Sequence, residues 1–216
     1  MKPLPLIVIG SGGHAAVVAD ALLAAGEEVL GFTDVDASRQ GLVLCDLPVL
    51  GDDASILRLH SSPTVRLVNG IGGVRPDGAR RAAQRRLERL GWQFVSVRHP
   101  SCIVSPFAHI EPGCQLLAGC IVQAGAHLEP GCIINTASVV EHHVELGEFV
   151  HVAPRALLCG DVRIGALSHI GAGAVVRQGV QLGELTLVGA GAVVVNDFEG
   201  HGVLLGIPAR VSERQR

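Results

Sequence analysis

The sequence predicts an α/β domain of the Rossmann-like type over residues 1–98, followed by a parallel β-helix with a C-terminal tail over residues 99–216. Three observations lead to this prediction. An apolar segment runs into a glycine-rich turn near the N-terminus, aliphatic residues recur at every sixth position in the second half, and the chain has 28 glycines but only 3% aromatic residues. A core with few rings and many glycines requires small branched side chains on a regular, tightly turning backbone.

The N-terminal domain is predicted from the order of its first elements. Residues 6–9 form an apolar strand, residues 10–14 form a glycine turn, and residues 15–25 have a helical pattern. Residues 28–32 read as the next strand, and Asp34 follows it. This order of strand, glycine turn, helix, strand and acidic residue begins a Rossmann-like unit, in which the helix N-terminus attracts an anion.

The glycine turn alone leaves two interpretations open. Ala15 stands where the dinucleotide fingerprint has its third glycine, so a structural turn without a ligand is the alternative. A second apolar strand runs into glycines over residues 68–73. Two such turns in one small domain favour a site for a phosphate or ribose where the strand ends meet.

A sixfold repeat predicts the β-helix. Every sixth residue from Val104 to Val194 is Val, Ile or Leu, and the residue two positions earlier is small or β-branched throughout. This period fits neither a helix nor an alternating strand. It fits short strands that end at corners, three to a coil, so that about five coils stack roughly 4.8 Å apart. The aliphatic residue is expected to point inward.

Glycines that directly follow an aliphatic position are expected to occupy tight turns that need a permissive backbone. They are Gly147, Gly165, Gly171, Gly183 and Gly189.

The cysteines are interpreted from the same repeat. Cys102, Cys114, Cys120 and Cys132 occupy the small inward position, so we expect them to be packing residues. Their spacing lacks the close pairs of a structural zinc site. Cys45 and Cys159 lie outside the series and have no assigned role.

Charge and hydropathy narrow the range of partners and compartments. The net charge of −3 gives no reason to expect nucleic acid, and no apolar stretch is long enough to insert into a membrane. The arginines between Arg80 and Arg89 are interpreted as a solvated helix face, with contact to a ligand phosphate as the alternative. Without a recognisable leader, the chain is expected to be cytoplasmic, with reduced cysteines.

Several motifs together resemble one family, the sugar acetyltransferases that include sialic acid O-acetyltransferases and the N-acetyltransferases of bacillosamine and perosamine synthesis. The resemblance covers nearly the whole chain. It is carried by Gly12-Gly13-His14, by Asn69-Gly70-Ile71-Gly72, by His99-Pro100-Ser101, by the most specific stretch from Asn135 to His142, by Gly147 to His151, and by Gly206-Ile207-Pro208-Ala209-Arg210. The resemblance implies that the β-helix is left-handed and that the protein is a homotrimer with active sites between neighbouring β-helices.

The resemblance also implies a reaction and a catalytic residue. His142 is expected to be the general base that takes a proton from a sugar amine as it attacks the thioester of acetyl-CoA, without a covalent intermediate. The family usually has an acidic residue after this histidine, and here the position is His143. A neutral imidazole lacks the negative charge that stabilises an imidazolium. Glu141 and Glu145 are the neighbours considered as substitutes.

The remaining site residues follow from the same matching. The nucleotide-sugar contacts are expected at Gly12, Gly13, His14, Asp34, Gly70 and Ile71, and Asn135 is expected near the acceptor sugar. The acetyl-CoA contacts are expected at His151, Gly160, Ala172, Ala190 and Arg210, where a solvated tail is the alternative for Arg210. No metal is expected.

Other functions remain open at this stage. O-acetylation of sialic acid or another sugar is the first alternative. A γ-carbonic-anhydrase-like enzyme would require His142, His151 and His169 to meet on zinc. A non-catalytic trimeric scaffold or nucleotide-sugar sensor is the third. The stacked pair His109 and His127 is interpreted as solvated surface.

Overall fold

The computed structural model describes residues 3–62, 64–73 and 78–212 of the chain. These residues fall into two compact units. The first contains residues 3–62, 64–73 and 79–100, and the second contains Gly78 and residues 101–212. Each unit is described separately below.

The first unit is an α/β sheet domain of the Rossmann-like type, as predicted. Its elements are β1 (Leu6–Ile9), α1 (Gly13–Ala24), β2 (Val29–Thr33), a 3-10 turn (Ala37–Arg39), β3 (Val43–Leu44), β4 (Leu47–Gly51), α2 (Asp53–Leu59), β5 (Arg66–Asn69), α3 (Ala79–Glu88) and β6 (Val97–Arg98). The predicted order of strand, turn, helix and strand is confirmed. Helix α1 begins two residues earlier than expected, at Gly13.

Strand order in the first unit places a topological switch point at the carboxyl end of β1. The order is β3-β4-β2-β1-β5, and β1 pairs in parallel with β2 on one side and β5 on the other. The chain therefore leaves β1 in one direction and later returns to its opposite edge. Ligands of open α/β sheets bind outside the carboxyl ends of strands at such a switch point.

The arginine-rich helix α3 is exposed along part of its length, in agreement with the predicted solvated face. Arg85, Arg86 and Arg89 are exposed. Arg85 pairs with Glu88 one turn away at 3.1 Å, and Arg86 binds the carboxylate of Asp53. Asp53 also accepts a hydrogen bond from Thr33, so this arginine stabilises the fold.

The second unit is a β-helix built from short parallel strands. The strands are β7 (Ile103–Val104), β8 (His109–Ile110), β9 (Gln115–Leu116), β10 (Ile121–Val122), β11 (His127–Leu128), β12 (Ile133–Ile134), β13 (Val139–Val140), β14 (Glu145–Leu146), β15 (His151–Val152), β16 (Leu157–Leu158), β17 (Arg163–Ile164), β18 (His169–Ile170), β19 (Val175–Val176), β20 (Gln181–Leu182), β21 (Thr186–Val188), β22 (Val193–Val194), β23 (Gly202–Leu205) and β24 (Arg210–Val211). The predicted left-handed β-helix is confirmed.

The strands stack into three sheets, which we call sheets I, II and III. Sheet I contains β7, β10, β13, β16, β19 and β22, and sheet II contains β8, β11, β14, β17 and β20. Sheet III includes β9, β12, β15, β18, β21 and β23, with β24 added antiparallel. Between β7 and β22, paired residues lie 18 positions apart, as His127 pairs with Glu145, so one coil uses three hexapeptides.

The sixfold repeat predicts the interior correctly. The aliphatic residue of each hexapeptide is the last residue of its strand, and from Leu116 to Val194 these residues are at most 3% exposed. Cys114, Cys120 and Cys132 are fully buried and Cys102 nearly so, which confirms their role in packing. The sulfur atoms of Cys102 and Cys120 are 3.3 Å apart on adjacent coils.

The corners show that the predicted reason for their glycines is wrong. Positive φ recurs every six residues, but at positions such as Gly125, His143 and Asp161. The five glycines that follow aliphatic residues lie outside the left-handed region. They are glycines because coils approach closely there: a Cβ at Gly165 would lie 2.3 Å from the backbone nitrogen of Glu184.

Among the helices that the structure describes, none is both long and apolar enough to cross a bilayer.

Candidate active site

His142 lies in the turn that carries the chain from sheet I to sheet II, which we call the I/II corner. Its side chain is exposed, and its ring rests on Gly160 of the next coil. A Cβ at residue 160 would lie only 2.3 Å from Cε1 and Nε2 of this imidazole. The backbone N–H of Asp161 donates to the carbonyl oxygen of His142 at 3.0 Å. Gly160, predicted from the resemblance as a CoA contact, therefore leaves the space in which the His142 ring lies, and we call this position the seat of His142.

His143 has a matching seat on the preceding coil. Its φ is 56°, in the left-handed region, and its ring lies over Gly125, where a Cβ would approach Cδ2 to 2.6 Å. The two imidazoles stand edge to face at 77°, with centroids 5.3 Å apart. Their Nδ1 atoms are 3.1 Å apart, within hydrogen-bonding distance. The glycines at two coils thus orient two adjacent histidines toward each other.

The acidic residues near this corner have different surroundings. Glu145 lies on sheet II and forms an ion pair with Arg163 at 3.3 Å. Glu141 is half-buried, and its backbone N–H donates to Leu158. Asp161, which the sequence analysis did not select, has a ligand atom within 4.8 Å of one from each of His142 and His143. It is the +18 neighbour of His143, so the repeat contained a signal for it.

Asn135 and His151 form a second polar group, at the turn from sheet III to sheet I, the III/I corner. The side-chain amide of Asn135 contacts Nε2 of His151 at 3.0 Å, while its oxygen accepts from the backbone of Thr136 at 2.8 Å. The Asn135 amide therefore donates to Nε2, which places the ring proton of His151 on Nδ1. Ala172 and Ala190 are exposed at the same corner, one coil apart.

His169 stacks on His151 from the following coil. Their ring centroids are 4.7 Å apart at an interplanar angle of 87°. His169 is only 8% exposed, and burial lowers the pKa of its imidazole. Its buried Nδ1 has no hydrogen-bond partner among residues 3–62, 64–73 and 78–212. By contrast, His109 and His127 are exposed on sheet II with rings 6.1 Å apart, as predicted.

A single chain does not bring the two corners together. Each strand of sheet I begins at the III/I corner and ends at the I/II corner, as Val139–Val140 does between Asn135 and His142. The two polar groups therefore lie at opposite ends of the strands of sheet I. The zinc site considered for His142, His151 and His169 is not assembled within one chain, because the last two residues lie on sheet III.

In the first unit, the predicted nucleotide contacts do converge. Gly12 and Gly13 end the turn after β1, Asp34 follows β2, and Gly70 and Ile71 follow β5. All these strands are parallel, so their carboxyl ends lie at one edge of the sheet. His14 is in the first turn of α1 and is half-buried beside Gly72.

The glycines at this edge serve two purposes. Gly70 is required for packing, because a Cβ there would lie 2.5 Å from Cγ1 of Val8. Gly12 and Gly13 are exposed, and nothing lies within 4 Å of where their Cβ atoms would stand. Gly12 also has an ordinary φ of −79°. The fold does not need glycine at these two positions, whereas a ligand approaching the backbone does.

Asp34 is held by a network that the sequence analysis missed. Its carboxylate accepts from the backbone N–H of Ser11 at 3.0 Å, from the Ser11 hydroxyl at 2.5 Å and from the backbone of Asp36 at 3.0 Å. Arg39 donates to the Ser11 hydroxyl at 2.6 Å. Burial alone would raise the pKa of Asp34, but these hydrogen bonds and the nearby guanidinium lower it below its usual value. Asp34 thus fixes the glycine turn.

Asn69 was likewise missed as an individual residue. Its side-chain oxygen accepts from the backbone of Ile71 at 3.1 Å, and its amide donates to Gln84 at 3.1 Å. It shapes the loop after β5. Arg210 is exposed on β24, where its guanidinium donates to the carbonyl of Ala209.

Comparisons with known proteins agree with this geometry. A family model described as the PglD N-terminal domain matches residues 5–76. The acetyltransferase domain of PglB from Neisseria gonorrhoeae is 36% identical, with a TM-score of 0.91 over 97% of this chain and 100% of that one. The same domain in complex with acetyl coenzyme A is 37% identical, with a TM-score of 0.90 over 96% of this chain and 98% of that one.

A second enzyme is similar over nearly its whole length. PerB from Caulobacter crescentus, solved in complex with CoA and GDP-perosamine, is 35% identical, with a TM-score of 0.89 over 96% of this chain and 97% of that one. Histidine-to-asparagine and histidine-to-alanine variants of the perosamine N-acetyltransferase have been solved with the same two ligands. No curated protein matches the sequence.

The fold and the histidine corner define a left-handed β-helix acetyltransferase. At these levels of identity and coverage, the chain belongs to the PglD-like family of sugar N-acetyltransferases.

Proposed function

We propose that this protein transfers the acetyl group of acetyl-CoA to the amino group of a nucleotide-linked sugar, with His142 as the general base. The observation that carries the proposal is the seating of His142 on Gly160 with its Nδ1 directed at His143. PglB and PerB, the relatives solved with acetyl coenzyme A or with CoA and GDP-perosamine, support the choice of substrates.

The contact between the two Nδ1 atoms assigns the protons. To act as a base, His142 must present a lone pair on Nε2, so its proton is on Nδ1 and donates to Nδ1 of His143. His143 then carries its own proton on Nε2. This imidazole therefore performs one of the two tasks of the usual acidic residue: it selects the tautomer of the base. It does not supply the negative charge.

The reaction needs one proton to change place. As the sugar nitrogen forms its bond to the thioester carbon, Nε2 of His142 takes a proton from the amine. When the carbon–sulfur bond breaks, that proton passes to the CoA thiolate and restores the neutral base. Because Asn135 fixes its proton on Nδ1, His151 supplies that N–H to the carbonyl oxygen as negative charge develops there.

The separation of the two corners supports a homotrimer. Sheet I, which lies between them, presents an outward stripe of aliphatic side chains that are all at least partly exposed: Ile103, Ile121, Val139, Leu157, Val175 and Val193. Sheet II presents polar and charged residues at the same positions. Packing the stripe of one chain against another would bury it and bring the His142 corner of one subunit to the His151 corner of its neighbour.

The remaining contacts are proposed from the family resemblance and from the glycine turn at the start of α1. Residues 1–98 bind the nucleotide part of the sugar, with its phosphates over Gly12 and Gly13 at the start of α1. Residues 99–216 carry out the transfer. Acetyl-CoA lies along Ala172 and Ala190, and Arg210 pairs with a CoA phosphate. The reaction takes place in the cytoplasm, where free cysteines such as Cys102 and Cys120 stay reduced.

The test is to incubate the protein with acetyl-CoA and UDP-, GDP- or CMP-linked amino sugars and to measure the rate at which the free thiol of CoA is released. We expect turnover with one nucleotide class, and His142→Asn should reduce kcat by about 10²–10⁴-fold. His127→Asn, on the exposed face of sheet II, is the matched control and should leave kcat unchanged. Equal turnover in the two variants would remove His142 from the mechanism, and turnover only with a sugar hydroxyl would replace N-acetylation by O-acetylation.

A further inference from the structure

The pair His142–His143 has a third neighbour that the acetyl-transfer reaction does not use. Asp161, at the next coil of the I/II corner, places a ligand atom within 4.8 Å of one from each histidine. All three side chains are exposed, and they are the only such group of three found among the described residues. Gly160 and Gly125 hold the two rings from either side, so two of the three donors are already oriented.

The geometry of the two nitrogens fits a metal ion. Metal–nitrogen bonds of about 2.1 Å at tetrahedral or octahedral angles hold neighbouring ligand atoms roughly 3.0–3.4 Å apart. The two Nδ1 atoms are 3.1 Å apart. Two imidazoles and one carboxylate suit zinc, cobalt or nickel, whereas magnesium and calcium prefer oxygen ligands only. The open side of the corner leaves room for water ligands.

We propose that His142, His143 and Asp161 form a binding site for a divalent transition-metal ion whose occupation switches the enzyme off. The inhibitory part of this proposal rests on the function proposed above. The ion binds the lone pairs of the two Nδ1 atoms and one carboxylate oxygen of Asp161. His142 therefore gives up the proton that it carried on Nδ1 and takes up a proton from solvent on Nε2, so the change of tautomer releases no net proton.

That change of tautomer removes the base. With Nδ1 bound to the metal and a proton on Nε2, His142 has no lone pair to accept a proton from the amine. The usual acidic residue after the base would leave one imidazole here, and the site would lose a nitrogen ligand. The metal site therefore depends on His143, the residue in which this chain differs from the family pattern.

Binding is measured first, without substrate, on untagged protein. Zinc is titrated by calorimetry and cobalt by its visible absorbance. We expect one ion per chain, and Asp161→Asn and His143→Asn should each weaken affinity by about tenfold or more, because even outer-shell partners of metal ligands contribute that much. Both positions have φ near 60°, which asparagine tolerates, so the variants keep the corner. His127→Asn, which disrupts the other exposed histidine pair, is the control.

Inhibition is measured second, as the zinc concentration that halves the initial rate. This concentration should rise by the same factor as the dissociation constant in Asp161→Asn. Affinity unchanged in both corner variants, or lost in His127→Asn, would overturn the site. Tight binding without inhibition would overturn the switch. Because binding is read without turnover, failure of the proposed acetyl transfer leaves a separate result from failure of the metal site.

Discussion

The I/II and III/I corners of the β-helix carry histidines in opposite environments. At the I/II corner, His142 and His143 are exposed, and glycines on the coils above and below hold their rings. At the III/I corner, an amide fixes His151, and its neighbour His169 is buried. In the proposed reaction, the first arrangement would leave a nitrogen of His142 to accept a proton, and the second would direct an N–H of His151 toward the developing charge. The same β-helix thus places histidines in two different environments at two of its corners.

The largest effect is expected from a variant that prevents the proposed subunits from associating. It would keep the I/II corner of one subunit away from the III/I corner of its neighbour without changing a residue of either corner. Leu157→Lys places a charge in the aliphatic stripe of sheet I, where burial against another subunit would be costly. We expect monomers in light scattering and a loss of kcat of about 10³-fold or more, because the base and the oxygen-binding histidine would no longer meet. Gln181→Lys, on the polar face of sheet II, is the matched control. A fully active Leu157→Lys monomer would contradict a site shared between subunits.

The next test unseats the base. Gly160→Ala places a methyl group 2.3 Å from the present position of the His142 ring, which must swing away. We expect kcat to fall about 10²-fold, since a displacement of about 1 Å has effects of that size. The melting temperature should change little, because the ring is exposed and can move.

Kinetics also separate the two roles considered for Gly160. A seat for His142 predicts a lower kcat at an unchanged KM for acetyl-CoA. A raised KM with normal kcat would instead assign Gly160 to the CoA groove and contradict its role as the seat.

Substitution of His143 should have a smaller effect. It distinguishes the role of residue 143 in setting the tautomer of His142 from the effect of a negative charge at residue 143. His143→Asp restores a carboxylate after His142 at a position whose φ of 56° aspartate tolerates. Negative charge stabilises the imidazolium, so we expect kcat to rise by up to about tenfold and the acid limb of kcat/KM to move to higher pH. His143→Asn is the uncharged control. Equal rates in the two variants would show that charge at this position is irrelevant.

These corners also show how far the sequence could be read. The sixfold repeat predicts every inward residue from Leu116 to Val194, because each hexapeptide meets the same steric demand. It misassigned the glycines: Gly165 serves close approach between coils, and the left-handed conformation falls instead on residues such as His143. Spacing alone does not distinguish these two demands, since both recur every six residues.

The sites depend on contacts that a repeat does not encode. The partnership of His142 with Gly160 follows from the 18-residue coil, but the orientation of the ring toward His143 depends on side-chain rotamers. In the first unit, the sequence predicted that the glycine turn follows β1 and that Asp34 follows β2, and the structure has this order. The sequence did not predict that Ser11 and Arg39 would bind this carboxylate, because their distances in sequence have no periodic relation.

The last test concerns the buried side of the comparison. Burial lowers the pKa of His169 in the folded state. Below about pH 6.5, the residue is therefore protonated in the unfolded chain while it is still neutral in the folded chain. The unfolded state then holds more protons, and the free energy of unfolding must decrease as pH falls from 7 toward the lowered pKa of the folded state. His169→Leu should flatten this dependence, since Leu187 occupies the adjacent position of the same ladder. His127→Leu, on the exposed face, should retain the wild-type slope in denaturant titrations at pH 7, 6 and 5, and an equal loss of slope in both variants would show that the burial of His169 is not its cause.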